Sequence, residues 1–337
     1  MRLAPDDERL RYLAPQGARH GSAGTRLERF PQQVQRILQG QIGPLANMRS
    51  SAGCALLLRT DAPRIILHLT RLRHHQHAPV GLDCEVEGLS VSHSADLREC
   101  EGDVVISFAT GLERGGELRQ CRLWWPLIST CALRAVELPH GSTVEATDVP
   151  EPAWLAIGDS LSQGFSVQAP TQHWLHRVSR ALGLPVWNLG LGGLRIEHEP
   201  FRWALEQRQW RLISIGLGSN HAWNDADVER VTDAAEGLLE LVLSSQPRAR
   251  ICWLMPPWKA LEAGKGPSDF MGVPLDRRAA ARLAQIRADV RRVLARHPQV
   301  QVVDDLLPAD HRLLPDGLHP GAVGMAHYAE RLQAVLE

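Results

Sequence analysis

From residue 153 onward, short apolar runs alternate with longer amphipathic stretches. Apolar residues recur at helical spacing over residues 228–242 and again over residues 283–294, which predicts two amphipathic helices. Five other runs are almost continuously apolar, as are strands covered on both faces: AWLAIG, VWNLGL, LISIGLG, ICWLMPP and VQVVDDLL. This alternation of strand, loop and helix predicts an α/β fold, a five-stranded parallel sheet with crossover helices.

Residues 50–148 have a different hydrophobic pattern, in which short apolar or alternating runs are separated by turn residues. In the run LDCEVE, apolar and acidic residues alternate, which predicts a half-buried strand with its acidic side chains on the exposed face. Several such strands predict an antiparallel β-sandwich. One short helix is predicted at PQQVQRILQ, and Pro150 and Pro152 mark a linker. We therefore expect a β-sandwich domain at residues 1–150 and an α/β domain at residues 151–337.

The length and charge of the chain narrow the classes of protein to which it can belong. At 337 residues it is long enough for two domains, and its 37 basic and 38 acidic residues leave no net field that would attract a nucleic acid. The apolar runs are much shorter than the ~20 residues that cross a bilayer, so no membrane segment is expected. The opening MRLAPDDERLRYL has acids where a signal peptide has an apolar region, and the six cysteines form no CxxC pair. These features favour a cytoplasmic protein with reduced, buried thiols.

Candidate functional residues follow four of the five predicted strands. Ser160 follows the first strand, Gly193 lies in the NLGLGG turn after the second, and Asn220 follows the third. Asp316 and His319 come after the fifth strand, in LLPDGLHPG. The carboxyl ends of parallel strands meet at one edge of a sheet, where ligands bind. We therefore expect these five residues to converge there.

This set of residue types suits the cleavage of an ester by a serine nucleophile. The hydroxyl of Ser160 attacks a carbonyl efficiently only when a base takes its proton, and His319 is the candidate base. Asp316, three residues earlier, would orient the imidazole and stabilise its charged form. The oxyanion formed by the attack needs hydrogen-bond donors, for which the backbone N–H groups of Ser160 and Gly193 and the side-chain amide of Asn220 are the candidates. This mechanism needs no metal and no cofactor.

Together these motifs resemble those of the SGNH, or GDSL, hydrolases. GDSLSQG, the last glycine of NLGLGG, GSN and DGLHP resemble blocks I, II, III and V of that family, in their usual order, over residues 152–337. The resemblance implies a flavodoxin-like three-layer α/β fold, an esterase activity and the roles given above for the five residues. The preceding region, from RFPQQVQRIL onward, resembles the jelly-roll-like β-sandwich module of some two-domain bacterial members, including acyltransferases of polyketide biosynthesis. Block III commonly reads GxND, whereas His221 stands here in place of that aspartate.

Each motif has a simpler structural interpretation when it is taken alone. Asp159 and Ser160 can cap a helix, and Asn220 can be a turn residue. Two other catalytic or cofactor motifs are disfavoured: Arg195 stands where a GxGxxG dinucleotide motif needs its last glycine, and Ser162 stands where a GxSxG elbow needs one. The joint placement of four matching blocks favours the catalytic interpretation over the structural ones.

A second group of histidines lies in HLTRLRHHQH, at His68, His74, His75 and His77. Histidines are common zinc ligands, but no carboxylate or cysteine stands near them at the spacing of a zinc site. A solvated loop after a strand is therefore the favoured interpretation, and no metal is expected.

The residues that bind the substrate are marked less clearly. Trp223 follows the Asn220 turn and Trp258 follows the fourth strand, so either side chain can contact a substrate, although packing is the commoner role of an aromatic residue. The segment 258–276 is rich in glycine and proline and is long for a strand-to-helix connection, which is typical of a lid or substrate wall.

Three functions are open at this point. The first is a serine esterase that removes acetyl or other short acyl groups from a carbohydrate or a small-molecule ester. The second is an acyltransferase of a biosynthetic pathway, because the same residues would pass the acyl group to an alcohol if the site were shielded from water. The third, from a different class, is a catalytically silent glycan-binding protein, against which the intact set of catalytic residue types argues.

Overall fold

The chain passes between two structural units more than once. The first unit consists of Met1–Pro31, Met48–Glu151 and Val167–Gln172, and the second of Gln32–Asn47, Pro152–Ser166 and His173–Glu337. The principal change of unit falls between Glu151 and Pro152, next to the predicted linker, while two short segments depart from a simple two-part division. The domain boundaries 1–150 and 151–337 stay a prediction. The computed structural model describes residues 1–73, 79–266, 269–270, 273–274, 276 and 278–337.

The first unit contains two six-stranded sheets, and the strand pairs described in both are antiparallel. Its strands are Arg2–Leu3 (β1), Arg11–Leu13 (β2), Ala18–Gly21 (β3), Gly24–Leu27 (β4), Ala55–Thr60 (β5), Arg64–Arg73 (β6), Asp83–Val86 (β7), Ser92–His93 (β8), Gly102–Ala109 (β9), Arg119–Trp124 (β10), Thr130–Glu137 (β11) and Val144–Glu145 (β12). One sheet has the order β3-β4-β11-β6-β9 with β1 beside β11, and the other has the order β12-β5-β10-β7-β8 with β2 beside β5. The predicted antiparallel β-sandwich is confirmed.

The two acidic residues that lie in β7 are buried, so the prediction that they are exposed was wrong for both, whereas Glu87, just beyond the strand, is exposed. Asp83 is fully buried and Glu85 is 7% exposed. The Asp83 carboxylate accepts hydrogen bonds from the backbone N–H and the hydroxyl of Thr171, at 2.7 and 2.6 Å, and lies 2.7 Å from the His93 ring. Glu85 accepts one from the Trp124 indole at 3.0 Å. These two carboxylates can be buried because each accepts hydrogen bonds; a buried carboxylate without such partners would be strongly destabilising.

The second unit contains the predicted parallel sheet and all the α-helices among the described residues. Its strands are Trp154–Gly158 (β13), Val186–Gly190 (β14), Leu212–Gly216 (β15), Arg250–Leu254 (β16), Asp269–Phe270 (β17), Val273–Pro274 (β18) and Val300–Val303 (β19). Five of them form the sheet in the order β14-β13-β15-β16-β19, and β17 pairs with β18. The expected flavodoxin-like α/β fold is thus confirmed. Gly158 is in register with Gly190 on one side and with Gly216 on the other, so three strands end at the same level.

Helices lie between most of these strands, and α9 follows the last of them. The helices are Gln32–Ile37 (α1), Ile42–Asn47 (α2), Ser160–Gln163 (α3), Trp174–Leu182 (α4), Arg202–Gln207 (α5), Asp225–Glu229 (α6), Val231–Ser245 (α7), Ala279–Leu294 (α8) and Ala322–Leu336 (α9). The apolar stripe predicted over residues 228–242 is divided between α6 and α7, and the stripe over 283–294 lies on α8. In α7 the buried residues include Ala235, Leu238 and Val242, which recur at the spacing expected of a helix that packs on a sheet.

The cysteines and the helices bear on the expectations drawn from composition. All six cysteines are free thiols, and burial raises the pKa of Cys54, Cys121 and Cys131 to about 12. None of the described helices combines the length and the apolar character needed to cross a bilayer.

In the histidine-rich run, the His68 ring lies 2.9 Å from the carboxylate of Glu137, whereas positions 74, 75 and 77 lie outside the described residues. Parts of the predicted lid, at positions 267–268, 271–272 and 275, also lie outside them.

Candidate active site

Ser160 is the first residue of α3, directly beyond the end of β13. The carboxylate of Asp159 caps this helix by accepting a hydrogen bond from Leu161 N at 3.0 Å, so the capping interpretation holds for Asp159. Close packing of α3 on the sheet requires glycine at position 190, because a Cβ there would lie 2.3 Å from the backbone nitrogen of Gln163. The helix therefore sits tightly on the strand ends and holds the Ser160 backbone in a defined position.

Ser160, His319 and Asp316 form a continuous chain of hydrogen bonds. Ser160 Oγ lies 2.7 Å from His319 Nε2, and His319 Nδ1 lies 2.7 Å from Asp316 Oδ2. Asp316 Oδ1 accepts further bonds from the backbone N–H groups of Leu318, at 2.9 Å, and of His319, at 2.6 Å. Burial opposes the charge on Asp316, but these hydrogen bonds and the nearby His319 ring outweigh it and hold the pKa of the carboxyl well below its usual range. The pair is therefore poised with an ionised acid beside an imidazole.

Two residues that follow α3 lie beside this chain of hydrogen bonds, and one of them, Ser166, was missed by sequence reasoning. The Ser166 hydroxyl donates a hydrogen bond to Asp316 Oδ2 at 2.8 Å. Its φ of 64° lies in the left-handed region, which a serine seldom adopts, so the loop holds it there against a modest conformational cost. The Phe165 ring lies 5.2 Å from the His319 ring, centroid to centroid. No local signal in the sequence marks Ser166, because its contact joins segments 150 positions apart.

A buried lysine lies beneath the loop that carries His319. Lys259 is 6% exposed, and its Nζ donates to the carbonyl oxygen of Leu318 at 2.6 Å, while Ala260 N donates to Gly317 O at 3.1 Å. Burial lowers the pKa of Lys259, and the carboxylates of Asp159 and Asp316 oppose that shift. Lys259 is one of two lysines in a chain whose other cations are arginines, which is the single sequence signal that could have drawn attention to it.

The Gly193 loop and the Asn220 side chain, both predicted to supply oxyanion donors, meet at Leu194. Gly193 has a φ of 83°, the left-handed conformation that glycine adopts without strain. The Asn220 amide donates to the carbonyl oxygen of the next residue, Leu194, at 2.9 Å, and its own oxygen accepts from the Trp223 indole at 3.2 Å. An amide nitrogen carries two hydrogens, so this arrangement leaves one for a substrate. Trp258 is half-buried, and no contact described for it reaches these residues.

A buried histidine contacts α3 at Leu161, the residue after Ser160. His173 is 2% exposed and its Nε2 donates to the carbonyl oxygen of Leu161 at 3.0 Å, beside a second bond from the Trp174 indole at 3.1 Å. Burial lowers the pKa of His173 to about 4. The folded protein therefore keeps this ring neutral at pH values where the unfolded chain protonates it.

We expect this difference to make the protein less stable in acid. A depressed pKa leaves the free energy of unfolding intact above the ordinary value of about 6.5 and lowers it as the pH falls towards 4, by roughly 2 kcal/mol between pH 7 and pH 5 for His173 alone. Urea denaturation at the two pH values measures the loss. In His173→Gln, which keeps a donor for Leu161 but cannot titrate, the loss should be smaller by about that amount. Equal losses in the two proteins would show that His173 does not set the acid limit.

The chain is similar to known proteins both in sequence and in fold. Residues 156–327 match the model of the GDSL-like lipase/acylhydrolase family. The fold is similar to those of a salicylyl-acyltransferase, SsfX3, from a tetracycline biosynthetic pathway (TM-score 0.78, 20% identity, covering 100% of this chain and 97% of that one) and of a protein from Bacteroides ovatus described as a GDSL-like lipase (0.74, 16%, 97% of each chain). It is also similar to a family two carbohydrate esterase from Clostridium thermocellum in complex with cellohexaose (0.64, 13%, 97% and 98%). No curated protein sequence matches the chain.

Proposed function

Because the chain belongs to the GDSL-like lipase/acylhydrolase family, we propose that it is a serine ester hydrolase that acts through an acyl-enzyme. In this proposal Ser160 is the nucleophile, His319 the general base and Asp316 the acid that orients it. The observation that carries the proposal is the unbroken hydrogen-bond chain from Ser160 Oγ through the His319 ring to Asp316, with 2.7 Å at each step. Nucleophile and base are thus within the reach that proton transfer requires.

The geometry supports the following sequence of steps. Asp316 accepts the Nδ1 hydrogen of His319, which leaves the Nε2 lone pair for the Ser160 proton. As that proton moves to Nε2, Oγ forms a bond to the ester carbonyl carbon and the carbonyl oxygen becomes an oxyanion, bound by the N–H groups of Ser160, Gly193 and Asn220. The imidazolium then gives its proton to the departing alcohol, and the acyl group stays on Ser160. Water, deprotonated by His319, releases the acyl group as an acid and restores the hydroxyl.

Asn220 provides a separate test of the oxyanion hole. In Asn220→Ala we expect kcat for p-nitrophenyl acetate to fall by about 10²- to 10³-fold with a much smaller change in KM, because the amide acts mainly on charge that develops in the transition state. Steady-state kinetics measure both parameters. Trp223→Phe is the matched control, since it removes only the indole bond that orients the amide, at 3.2 Å, and should cost far less. An unchanged kcat in Asn220→Ala would exclude the residue from the hole.

We further propose that the substrates are esters of acetyl or other short acyl groups on a carbohydrate or a small alcohol. Proteins of similar fold include a carbohydrate esterase in complex with cellohexaose and a salicylyl-acyltransferase, so both an attached sugar and an attached small molecule are compatible with the fold. Water and an alcohol compete for the same acyl-enzyme. Assaying acetylated sugars with and without added acceptor alcohols would separate hydrolysis from transfer, because transfer yields a new ester in place of the free acid.

A fluorophosphonate probe followed by peptide mass spectrometry tests the proposed function directly. We expect a stoichiometric adduct on Ser160, since such probes react with serines activated by a neighbouring base. A wild-type protein that forms no adduct, fails to hydrolyse short-chain esters and yet retains a glycan would overturn the proposal in favour of a silent glycan-binding protein. An adduct on a different serine would move the nucleophile.

A further inference from the structure

His221 occupies the position at which the resemblance to block III breaks down, and both of its ring nitrogens are engaged. Its Nδ1 lies 2.6 Å from the carbonyl oxygen of Asp227, and its Nε2 lies 2.9 Å from the backbone nitrogen of Ile196. The residue is 2% exposed. A carbonyl oxygen only accepts and a backbone N–H only donates, so the ring must carry its hydrogen on Nδ1 and a lone pair on Nε2. His221 is therefore neutral, in one defined tautomer.

The two partners of His221 belong to the two segments that hold the candidate oxyanion donors. Ile196 lies three residues after Gly193, and Asp227 lies in α6, beyond the turn that carries Asn220. Two further residues join the same segments: Asn220 Nδ2 donates to Leu194 O at 2.9 Å, and the Arg195 guanidinium contacts Asp227 Oδ2 twice, at 2.7 and 2.6 Å. Three consecutive residues, 194–196, are thus each bound from the Asn220–Asp227 side.

We propose that His221 is a positioning residue, which clamps the Gly193 loop to the Asn220 turn and so sets the spacing of the oxyanion donors. This inference rests on the proposed function, because the spacing matters only if an oxyanion forms there. Aspartate, the commoner residue at this position, has only acceptor oxygens when ionised and could not donate to the Asp227 carbonyl as the imidazole does. The histidine thereby joins two backbone segments that a carboxylate could not join in the same way.

The clamp depends on the charge state of the ring. Protonation would place a hydrogen on Nε2 against the Ile196 N–H and abolish the bond between them. Burial lowers the pKa of His221, the Asp227 carbonyl and carboxylate oppose this shift, and the cations of Arg195 and Arg230 reinforce it. A cavity of about 710 Å³ lies beside the ring, and its other charged or titratable lining residues are Glu197, His198, Glu199 and Asp233. We expect the neutral form near neutrality and a weakened clamp in acid.

Two substitutions separate positioning from mere support of the fold. His221→Leu fills space without hydrogen bonds, and we expect kcat for p-nitrophenyl acetate to fall about 10-fold or more per folded molecule, with KM changed much less. His221→Gln supplies one acceptor and one donor on a planar group and cannot titrate, so it should restore kcat to within about threefold and reduce the acid-side loss in the pH profile. Folded protein is quantified by circular dichroism. Equal kcat in the wild type and the leucine variant, or equal losses in the two variants, would overturn the proposal.

A spectroscopic measurement keeps the inference testable if the leucine variant fails to fold or if the protein hydrolyses no ester. In protein labelled with ¹⁵N-histidine, two-bond ¹H–¹⁵N correlations distinguish the tautomers, and the His221 signals are identified by their loss in His221→Gln. We expect the Nδ1–H tautomer at pH 7. An Nε2–H tautomer or an imidazolium would refute the clamp, whereas absent labelling by a fluorophosphonate would refute the proposed function alone.

Discussion

Replacing Ser160 with alanine is expected to lower kcat/KM for p-nitrophenyl acetate by about four orders of magnitude or more. The variant lacks the oxygen that stands 2.7 Å from His319 Nε2, so no acyl-enzyme can form, and what remains is the small rate that binding and the oxyanion donors support on their own. Initial rates at several substrate concentrations, with protein of confirmed purity, provide the measurement. The fluorophosphonate adduct should disappear in parallel.

Ser162→Ala is the matched control for this experiment. Ser162 lies on the same short helix, α3, and is 1% exposed, but its hydroxyl faces the strand ends near Gly158. The control therefore removes a serine hydroxyl from the same helix without touching the chain that ends at Asp316, and its activity should stay close to that of the wild type. If Ser160→Ala retains activity while the control does not, the nucleophile has been assigned to the wrong residue.

The parallel sheet could be predicted from the sequence because its strands are buried on both faces. Such strands give continuous apolar runs, and each of the five runs contains a strand of the sheet. Since strand ends meet at one edge, the residues that follow them could be gathered into one candidate site without knowledge of the helices. The bond between Ser160 and His319, which joins positions 159 apart, is the result of that topology.

The supporting contacts could not be predicted, because they depend on how loops approach one another. Ser166 and Lys259 reach the Asp316–His319 loop from segments that carry no motif. The helix α2 was missed for a local reason: its six residues, IGPLAN, include a glycine and a proline, which are typical of a turn. Yet its Asn47 amide donates to the carbonyl oxygen of Gly192 at 3.1 Å, one residue before the oxyanion candidate.

The strand β7 illustrates the opposite error, in which a clear pattern was interpreted too simply. Alternation of apolar and acidic residues shows that a strand has two different faces. It does not show whether the acidic face lies in water or against hydrogen-bond donors of the protein. Asp83 is fully buried because the backbone and hydroxyl of Thr171 satisfy it, and Thr171 lies 88 positions away. Pattern alone predicted the strand correctly and its environment incorrectly.

Asp316→Asn should have the second-largest effect, a fall in kcat of about 10³-fold or more, although the side chain hardly changes shape. The asparagine amide can present N–H to the ring where the carboxylate presents an oxygen, 2.7 Å from His319 Nδ1. A ring that accepts at Nδ1 must carry its hydrogen on Nε2, and it then has no lone pair for the Ser160 proton. The loss of the negative charge also removes the stabilisation of the imidazolium. Rates measured from pH 6 to pH 9 should stay low throughout.

Ser166→Ala is the control that separates the charge of Asp316 from its hydrogen bonding. Among the described residues, the hydroxyl of Ser166 supplies one of four hydrogen bonds to that carboxylate, and the other three come from His319 and Leu318. Because these three remain and keep the pKa of Asp316 low, the carboxylate should stay ionised and kcat should fall by less than about tenfold. If Asp316→Asn were no slower than Ser166→Ala, the carboxylate would be a structural anchor of the loop, and His319 would be oriented by its surroundings alone.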